Sequence, residues 1–311
     1  MIEGGGLGTY RPEQIGPLSV QVPNGVVDLV AEDDADAVLQ AKKYLSYFQG
    51  STEEWSCADQ RLLRESIPEE RLRVYDIRGL ITTLVDTDSA LEIRRGFAPG
   101  MITTLARVEG RPIGIIANNP AHLGGAIDSD GADKAARFLQ LCDAHDVPVL
   151  FLCDTPGFMV GPDAEQTAQV RHFSRLFVTG ASVTVPFFTM ILRKGYGLGA
   201  QAMAGGSFRS PIFTVAWPTG ELGGMGLEGA VQLGFRRELE AVSDPAERDT
   251  LYREMVARAY QHGQALNVAT AFEIDDVIDP AQSRQRVIEA LRSTPDAPER
   301  AGKKRNCIDT W

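Results

Sequence analysis

The sequence predicts an α/β fold whose sheet is largely parallel and covered by helices on both faces. Two continuous apolar segments, Val147 to Cys153 and Val183 to Leu192, lack the polar alternation of a half-exposed strand. Helical segments with one apolar face separate the strands of this region. Apolar strands spaced by helices are typical of parallel sheets buried on both faces. With 311 residues, 43% of them hydrophobic, the chain is long enough to bury such a core.

The charge and the side-chain inventory disfavour several classes of function. Lys plus Arg total 31 against 42 Asp plus Glu, and the resulting net charge of −11 disfavours binding to nucleic acid. The four cysteines and four histidines form no CxxC or HExxH motif, so we expect this chain to bind no metal. No apolar segment reaches the roughly 20 residues of a membrane span, and the amino terminus shows no secretion signal. These observations predict a cytoplasmic protein without a membrane partner.

The amino-terminal region contains two predicted elements and a linker. Val20 to Val30, in which Asn24-Gly25 separates two β-branched segments, predicts a hairpin or a tight turn between strands. Asp33 and Asp34 then begin a helix, because acidic residues favour a helix N-terminus. Its apolar residues recur on one face, at Val38, Ala41, Leu45 and Phe48. The polar stretch from Gly50 to Glu70, which includes Pro68, predicts a linker.

From about Val74 the elements follow one another closely. A hairpin signal, Glu109-Gly110-Arg111, joins the predicted strands Met101 to Val108 and Pro112 to Ala117. A helix from Asp130 to about His145 has an inner face of Ala135, Leu139 and Cys142. The remaining predicted elements are helices at Tyr75 to Val85, Thr167 to Val178 and Gly199 to Ala204, the strand Ile212 to Ala216, and helices at about 226–236, 244–264, 267–272 and 280–292.

Three predicted strand ends carry glycine-rich sequences in which chemistry could occur. They read DTPG from Asp154, RKGYGLGA from Arg193 and WPTGELGGMG from Trp217. In parallel α/β folds the ligand lies beyond the carboxyl ends of the strands. Glycine there lets a ligand approach backbone amides, and a following helix adds its positive end, which together favour an oxyanion site. The turn Gly124-Gly125-Ala126, before a helix, has the same character.

The side chains near these strand ends leave alternatives open. Asp154 is either a catalytic acid or base or a cap of the following turn, and Arg193 with Lys194 either attract a carboxylate or form a solvated pair. The sequence GYGLGA matches GxGxxG imperfectly, which disfavours a dinucleotide loop. No GxSxG motif, P-loop or Ser/His/Asp arrangement is present. Without a conventional nucleophile or base, a mechanism based on backbone amides and binding energy is favoured.

Three longer blocks and the carboxyl terminus carry a family resemblance. They are GFAPGMITTLARVEGRPIGIIANNPAHLGGAIDSDGADKAARF from Gly96, VTVPFFTMILRKGYGLGAQAMAGGSF from Val183, AWPTGELGGMGLEGAV from Ala216, and the terminal NCIDTW. In these blocks the chain resembles the carboxyl-terminal half of the carboxyltransferase β subunit of biotin-dependent acyl-CoA carboxylases, of the acetyl-/propionyl-CoA carboxylase type. The resemblance implies a crotonase-like (ββα) superhelix with a small remnant of a preceding homologous domain.

The resemblance also implies a domain organisation. Residues 1–50 would be the remnant of the amino-terminal half that binds acyl-CoA, residues 51–73 a linker, and residues 74–311 the carboxyl-terminal half on the carboxybiotin side. Because most of the acyl-CoA half has no counterpart in the sequence, we expect a truncated subunit or one chain of a split carboxyltransferase.

The site residues follow from the same resemblance. The family's paired glycines after RK-x-Y correspond to Gly197 and Leu198, so the second glycine is replaced here by leucine. The backbone amides of these two residues and of Ala126 are the expected oxyanion hole. The residues expected to bind carboxybiotin are Gly124, Gly125, Gly157, Gly195 and Tyr196.

The implied reaction moves a carboxyl group from carboxybiotin to the α-carbon of an acyl-CoA. Biotin would arrive on a partner, the biotin carboxylase and biotin carboxyl carrier subunit, and the other partners would be the acyl-CoA-binding half and further copies of the chain. Two alternatives remain open. One is the carboxyltransferase subunit of a biotin-dependent decarboxylase, and the other is a non-catalytic half that acts as a binding scaffold.

Overall fold

A computed structural model describes residues 2–295, 297 and 300–310. The strands of this part of the chain are β1 (Leu91–Ile93), β2 (Met101–Val108), β3 (Arg111–Asn118), β4 (Val149–Thr155), β5 (Phe187–Tyr196), β6 (Thr214–Ala216), β7 (Glu221–Gly223) and β8 (Asp276–Val277). Its α-helices are α1 (Leu18–Gln21), α2 (Asp34–Ser46), α3 (Ile77–Leu84), α4 (Ser129–Ala144), α5 (Pro162–Gln166), α6 (Gln169–Ser182), α7 (Gly197–Ala202), α8 (Leu227–Gly234), α9 (Arg236–Ala241), α10 (Pro245–Gly263), α11 (Ala265–Thr270) and α12 (Ser283–Ser293). Short 3₁₀ turns lie at Glu3–Gly5, Pro12–Gln14, Gln60–Glu65, Leu123–Gly125 and Pro280–Gln282.

The strands form one sheet in the order β1-β2-β3-β4-β5-β6-β8, and β7 pairs with the far end of β5. The first three strands are antiparallel, and from β3 onward the pairing is parallel. The predicted hairpin is confirmed: Glu109 and Gly110 both have positive φ, 50° and 74°, as a type I′ turn requires. The α/β prediction is therefore confirmed, with the parallel strands in its second half.

Both faces of the sheet are buried, which explains the uninterrupted apolar strands. Successive residues of a strand point to opposite faces. One face packs against α3 and α12, and the other against α4, α6 and α7. The first face carries Ile115, Leu150 and Met190, and the second carries Ile116, Phe151 and Ile191.

Helix α4 agrees closely with the prediction. The side chain of Asp128 accepts a hydrogen bond of 2.8 Å from the amide of Gly131 and so caps the helix N-terminus. The predicted inner-face residues Ala135, Leu139 and Cys142 are fully buried. Burial raises the pKa of the Cys142 thiol well above its usual range. Among the described residues Cys153 is also buried, Cys57 and Cys307 are exposed, and all four cysteines are free.

The predicted hairpin at Val20 to Val30 is wrong, although the turn within it exists. Gly25 has a φ of 80°, but its flanks bond locally: the amide of Val22 donates to Leu18 and that of Val27 to Gln21. Val20 and Val26 are exposed. A two-stranded hairpin with no sheet to join is marginal, so local hydrogen bonds override the β-branched composition.

Helix α2 forms where predicted and is capped by Asp33, whose side chain accepts from the amide of Asp36 at 2.8 Å. However, Val38 and Leu45 of the predicted apolar face are 52% and 55% exposed. The helix packs instead through Tyr44 and the following residues, of which Tyr47 is 2% exposed. Phe48 lies beyond the helix end at Ser46.

The segment 51–73 is not a free linker, because it packs on the sheet. Leu63 is fully buried and Ile67 is 8% exposed, and both belong to the core under α3 and α12. The amide of Thr52 donates to the carbonyl of Gly110 in the β2–β3 turn. The division into residues 1–50, 51–73 and 74–311 stays a prediction.

In the described part of the chain, no helix is both long and apolar enough to cross a membrane. No cluster of three His, Cys, Asp or Glu side chains in that part is arranged to hold a metal ion.

The buried amine of Lys134 on α4 should make the stability of the folded protein depend on pH. Its side chain is 1% exposed, and its Nζ donates to the carbonyl of Phe97 at 2.8 Å. Burial lowers the pKa of Lys134 to about 8. Between pH 8 and roughly 10.4 the unfolded chain binds this proton and the folded chain does not, so folded stability rises with pH. We expect the free energy of unfolding of the wild type to gain about 3 kcal/mol from this group over that range.

The measurement is urea unfolding at pH 7 to 10 of the wild type and of Lys134→Met. The substitution should remove this rise. Lys42→Met, which makes the same change at an exposed position of α2, should keep the wild-type profile. A pH profile of Lys134→Met identical to that of the wild type would contradict the prediction.

Candidate active site

Three loops that follow neighbouring parallel strands meet at one edge of the sheet. They follow β3, β4 and β5 and contain Gly124-Gly125-Ala126, Gly157 and Gly197-Leu198, respectively. A Cβ placed on Gly199 would lie 2.7 Å from the Cα of Gly157, and one on Gly157 would lie 3.7 Å from the carbonyl oxygen of Tyr196. The structure therefore brings the sequence-predicted residues together, as expected for the carboxyl ends of parallel strands.

The loop after β3 is a tight turn that uses its own amides. Gly124 and Gly125 have φ angles of 60° and 89°. The amide of Gly125 donates to His122 at 2.9 Å, and that of Ala126 donates to Leu123 at 3.1 Å. The Ala126 amide is therefore bonded within the turn and does not point at a ligand, contrary to its expected place in the oxyanion hole.

The loop after β4 is bonded to the loop after β3. The amide of Gly157 donates to the Thr155 hydroxyl at 3.1 Å, and its carbonyl accepts from the amide of Ile127 at 3.0 Å. Both backbone polar groups of Gly157 are thus used inside the protein. Gly157 also provides the backbone on which Gly199 packs, and this close approach requires a glycine at position 199.

The loop after β5 turns directly into helix α7. Gly197 has a φ of 59° and is the first residue of the helix. The first amides of a helix have no intrahelical acceptor and lie at its positive end. The side chain of Leu198 is 56% exposed, so an apolar group lies at the surface beside this turn. Of the three loops, this one offers the amides best suited to a developing anion.

Gly195 and Tyr196 lie within β5, which continues four residues beyond the predicted end at Leu192. This extension pairs with β7, with Lys194 in register with Glu221. Gly195 is buried, and a Cβ there would lie 3.1 Å from Ile191. The hydroxyl of Tyr196 donates to Glu221 Oε2 at 2.8 Å. These two residues support the backbone that leads to Gly197.

Asp154 is the centre of a buried ionic network. It is fully buried, and its Oδ2 accepts from the hydroxyl of Tyr75 at 2.9 Å and lies 3.0 Å from Arg193 Nη2. Its Oδ1 accepts from the amide of Lys194 at 3.1 Å. The side-chain carbonyl of Asn118 accepts from the Asp154 amide at 3.1 Å. A carboxylate bound in this way is a structural anion rather than an acid, a base or a simple turn cap.

The side chains of Arg193 and Lys194 both serve this network. Arg193 is 4% exposed, so the two residues are not a solvated pair. The Nζ of Lys194 lies 3.6 Å from Asp154 Oδ1 and donates to the carbonyl of Gly124. Burial lowers the pKa of Lys194, and the charge of Asp154 partly opposes this effect. The carboxylate that these cations attract is therefore the protein's own.

Sequence reasoning missed Glu221, although its motif WPTGELGG was recognised as a strand end. Its side chain lies against Tyr196, and burial raises the pKa of the Glu221 carboxyl. Burial also raises the pKa of Tyr196 far above its usual range, so its hydroxyl stays a donor. Only the pairing of β7 with β5 reveals this contact, because β7 has just three residues and no strand pattern.

The geometry defines a class of protein: an α/β fold in which glycine turns meet at the carboxyl ends of neighbouring parallel strands. The family model described as the carboxyl transferase domain matches residues 9–308. The methylmalonyl-CoA carboxyltransferase 12S subunit of Propionibacterium freudenreichii subsp. shermanii is 37% identical over 277 residues, which are 86% of this chain and 52% of that protein. The acetyl-/propionyl-coenzyme A carboxylase beta6 subunit of Mycobacterium tuberculosis is 34% identical over 94% of this chain and 62% of its own length.

Solved structures give the same result. A single-chain, multi-domain long-chain acyl-CoA carboxylase matches with 60% identity and a TM-score of 0.87, over 93% of this chain and 28% of that chain. The transcarboxylase 12S hexamer, with methylmalonyl-coenzyme A and methylmalonic acid bound, matches with 31% identity and a TM-score of 0.84, over 99% of this chain and 60% of that chain. The protein belongs to the carboxyl transferase domain family, and its crotonase-like fold is confirmed. The chain spans about half to three-fifths of the length of these curated relatives.

The close packing around Gly125 predicts that adding a single methyl group there has a large effect. Gly125 has a φ of 89°, and a Cβ at this position would lie well inside contact distance of the Asp154 carbonyl oxygen. We expect Gly125→Ala to lower the free energy of unfolding by about 3 kcal/mol or more, from backbone strain and collision together. Gly124→Ala is the matched control, because its φ is 60° and its nearest neighbour is Lys194 Nζ at 3.8 Å. It should lose only about 1 kcal/mol. Urea unfolding measures both, and equal losses would show that the close approach is not limiting.

Proposed function

We propose that this chain is the carboxybiotin side of the carboxyltransferase of a biotin-dependent acyl-CoA carboxylase. The complete enzyme would move a carboxyl group from carboxybiotin to the α-carbon of an acyl-CoA. The observation that carries the proposal is the first turn of α7, where Gly197 and Leu198 present amides at the end of β5. Membership of the carboxyl transferase family supports the assignment of this turn to the reaction.

The residues at this edge fit a ureido ring. That ring presents a carbonyl acceptor, and the available groups are backbone donors at the positive end of a helix. Gly124 is exposed beside them and carries no side chain, so the approach is open. When bound, carboxybiotin supplies the activated carboxyl group.

The protein's own contribution is electrostatic and positional. Amides aimed at an oxygen that gains negative charge lower the barrier without a reactive side chain. Gly124, Gly125 and Gly157 would shape the floor of the pocket, since their loops are bonded to each other. Gly195 and Tyr196 would hold the backbone that precedes Gly197. Ala126 would contribute to the shape of the pocket and not as a donor, because its amide is bonded to Leu123.

For the substrate class we propose a long-chain acyl-CoA. The structural relative with 60% identity is a long-chain acyl-CoA carboxylase, while the transcarboxylase 12S structure is 31% identical. The exposed Leu198 at the mouth of the site provides apolar surface of the kind that an acyl chain buries favourably.

For partners we propose an acyl-CoA-binding carboxyltransferase half, a biotinylated carrier with its biotin carboxylase, and further copies of the chain, in the cytoplasm. The amino-terminal region supports the first of these. Large apolar side chains of α1 and α2 are at least half exposed, namely Leu18, Val20, Val38, Leu39 and Leu45. Several exposed apolar side chains in one region of the chain favour a surface that another domain covers. The transcarboxylase 12S relative assembles as a hexamer, which supports an oligomer here.

Gly197 tests the proposed reaction. In Gly197→Ala the new Cβ would lie 2.8 Å from the carbonyl oxygen of Gly224. The first turn of α7 must therefore move, and its amides would no longer point toward the proposed position of the anion. We expect carboxyl transfer by the enzyme assembled with its acyl-CoA half and biotinylated carrier to fall roughly 100-fold, about 3 kcal/mol. Gly234→Ala, at the end of α8 with no atom within 4 Å of the new Cβ, should keep wild-type turnover. Equal turnover of the two variants would remove the loop from the mechanism and favour the scaffold alternative.

Leu198 tests the substrate class. Loss of the Leu198 side chain should weaken the binding of long acyl chains more than that of short ones, because only the long chains reach additional apolar surface. We expect Leu198→Ala to lower the ratio of kcat/KM for a long-chain acyl-CoA over that for propionyl-CoA by roughly tenfold. The matched control is Leu233→Ala, a change at an exposed leucine of α8, which should leave the ratio unchanged. A constant ratio in Leu198→Ala would argue against an acyl contact at this position.

A further inference from the structure

Arg71 reaches from the segment 51–73 to the far side of the candidate site. Its Nη2 lies 2.8 Å from Glu228 Oε1, and its Nε lies 3.7 Å from Glu221 Oε1. The guanidinium also stacks over the ring of Tyr260, with 4.0 Å between its Cζ and the ring centroid. One cation thus contacts carboxylates on two different elements, β7 and the first turn of α8.

The two carboxylates flank a glycine-rich segment. Between Glu221 and Glu228 the chain reads LGGMGL, and its three glycines restrict the backbone very little. This loop is the wall against which Gly197 packs. The carbonyl oxygen of Gly224 would be 2.8 Å from a Cβ on Gly197, and Gly223 lies beside the ring of Tyr196. The position of the loop therefore limits the position of the Gly197 backbone.

Arg71 is itself held by the buried network of Asp154. Arg193 Nη1 donates to the carbonyl of Arg71 at 3.0 Å and to that of Arg73 at 2.7 Å. Because Arg193 is paired with the buried Asp154, the backbone at Arg71 is tied to the ends of β4 and β5. A rigid strand end thus fixes the backbone of the arginine that holds the glycine loop.

The electrostatic surroundings favour this contact. Burial raises the pKa of Glu221, while the hydrogen bond from Tyr196 and the charges of Arg71 and Arg193 oppose the rise. The charge of Glu228 adds to the rise. Without Arg71, Glu221 and Glu228 would face each other with one cation fewer between them, and the loop would lose the group that attracts both of its ends.

We propose that Arg71 is a positioning residue that clamps Glu221 and Glu228 and thereby holds the loop 223–226 against the backbone of Gly197. The proposal rests on the function proposed above only where it concerns carboxyl transfer. The clamp concerns only the position of the loop, so it can be tested by a measurement that does not depend on carboxyl transfer.

Hydrogen exchange of the full chain tests the clamp directly. In Arg71→Ala we expect the amides of residues 197–199 and 223–228 to exchange roughly tenfold faster, which corresponds to about 1.4 kcal/mol of lost local stability. The amides of β2 and β3 should be unchanged. Arg61→Ala is the control, because Arg61 is an exposed arginine of the same segment whose ion pair, with Asp59, lies on the surface. Arg71→Lys keeps the charge but makes one pair at a time, and should show an intermediate increase. Loop exchange in Arg71→Ala equal to that in Arg61→Ala overturns the proposal.

Kinetics of the assembled enzyme test the link to function. We expect Arg71→Ala to lower kcat for carboxyl transfer roughly tenfold, with the KM for the biotin substrate nearly unchanged. Guanidinium ion added at millimolar concentration should restore part of kcat in Arg71→Ala and none in Gly197→Ala. A loss confined to KM, or a kcat loss that guanidinium does not restore, contradicts the positioning role. If the wild-type enzyme transfers no carboxyl group while the exchange result holds, the proposed function fails and the clamp stands.

Discussion

The candidate site depends on the compensation of one buried charge. Asp154 is fully buried at the end of a central strand, where an unpaired carboxylate would cost several kcal/mol. Its oxygens accept hydrogen bonds from the Tyr75 hydroxyl and the Lys194 amide and pair with Arg193. The partners come from the segment before α3 and from the strand next to β4, so one carboxylate sets the relative position of elements far apart in the chain.

Hydrogen bonds from the same network also fix the positions of the loops around the site. Lys194 donates to the carbonyl of Gly124, and Arg193 donates to the carbonyls of Arg71 and Arg73. The backbone of Gly125 packs directly on Asp154. The turn at Gly124-Gly125 is therefore held to Asp154 both through Lys194 and through direct backbone packing. Breaking one partner of such a network is far more damaging than breaking an exposed pair.

A site of this kind requires small residues more than reactive ones. Gly125 and Gly199 allow one backbone to lie directly on another, and a side chain at either position would separate the loops. Chemistry that uses backbone amides needs this proximity and a helix end, not a nucleophile. The proposed function therefore agrees both with the lack of a conventional catalytic motif in the sequence and with the dense packing of the glycine turns.

Sequence patterns by themselves determined the parallel sheet, the Glu109-Gly110 hairpin, helix α4 and the three glycine-rich strand ends. These features depend on local periodicity and turn chemistry, which are readable in one dimension. The same patterns misled at Val20 to Val30 and on α2, because the fate of a β-branched or apolar residue depends on whether a neighbouring surface exists.

Tertiary structure alone decided how the site is held together. It made Asp154 an ionic centre, bonded the Ala126 amide inside its own turn, and brought Arg71 to Glu221 and Glu221 to Tyr196. These contacts join residues far apart in the chain, such as Arg71 and Glu221. They arise from the need to pair buried charges and hydrogen-bonding groups, and no local pattern in the sequence records which distant partner meets that need.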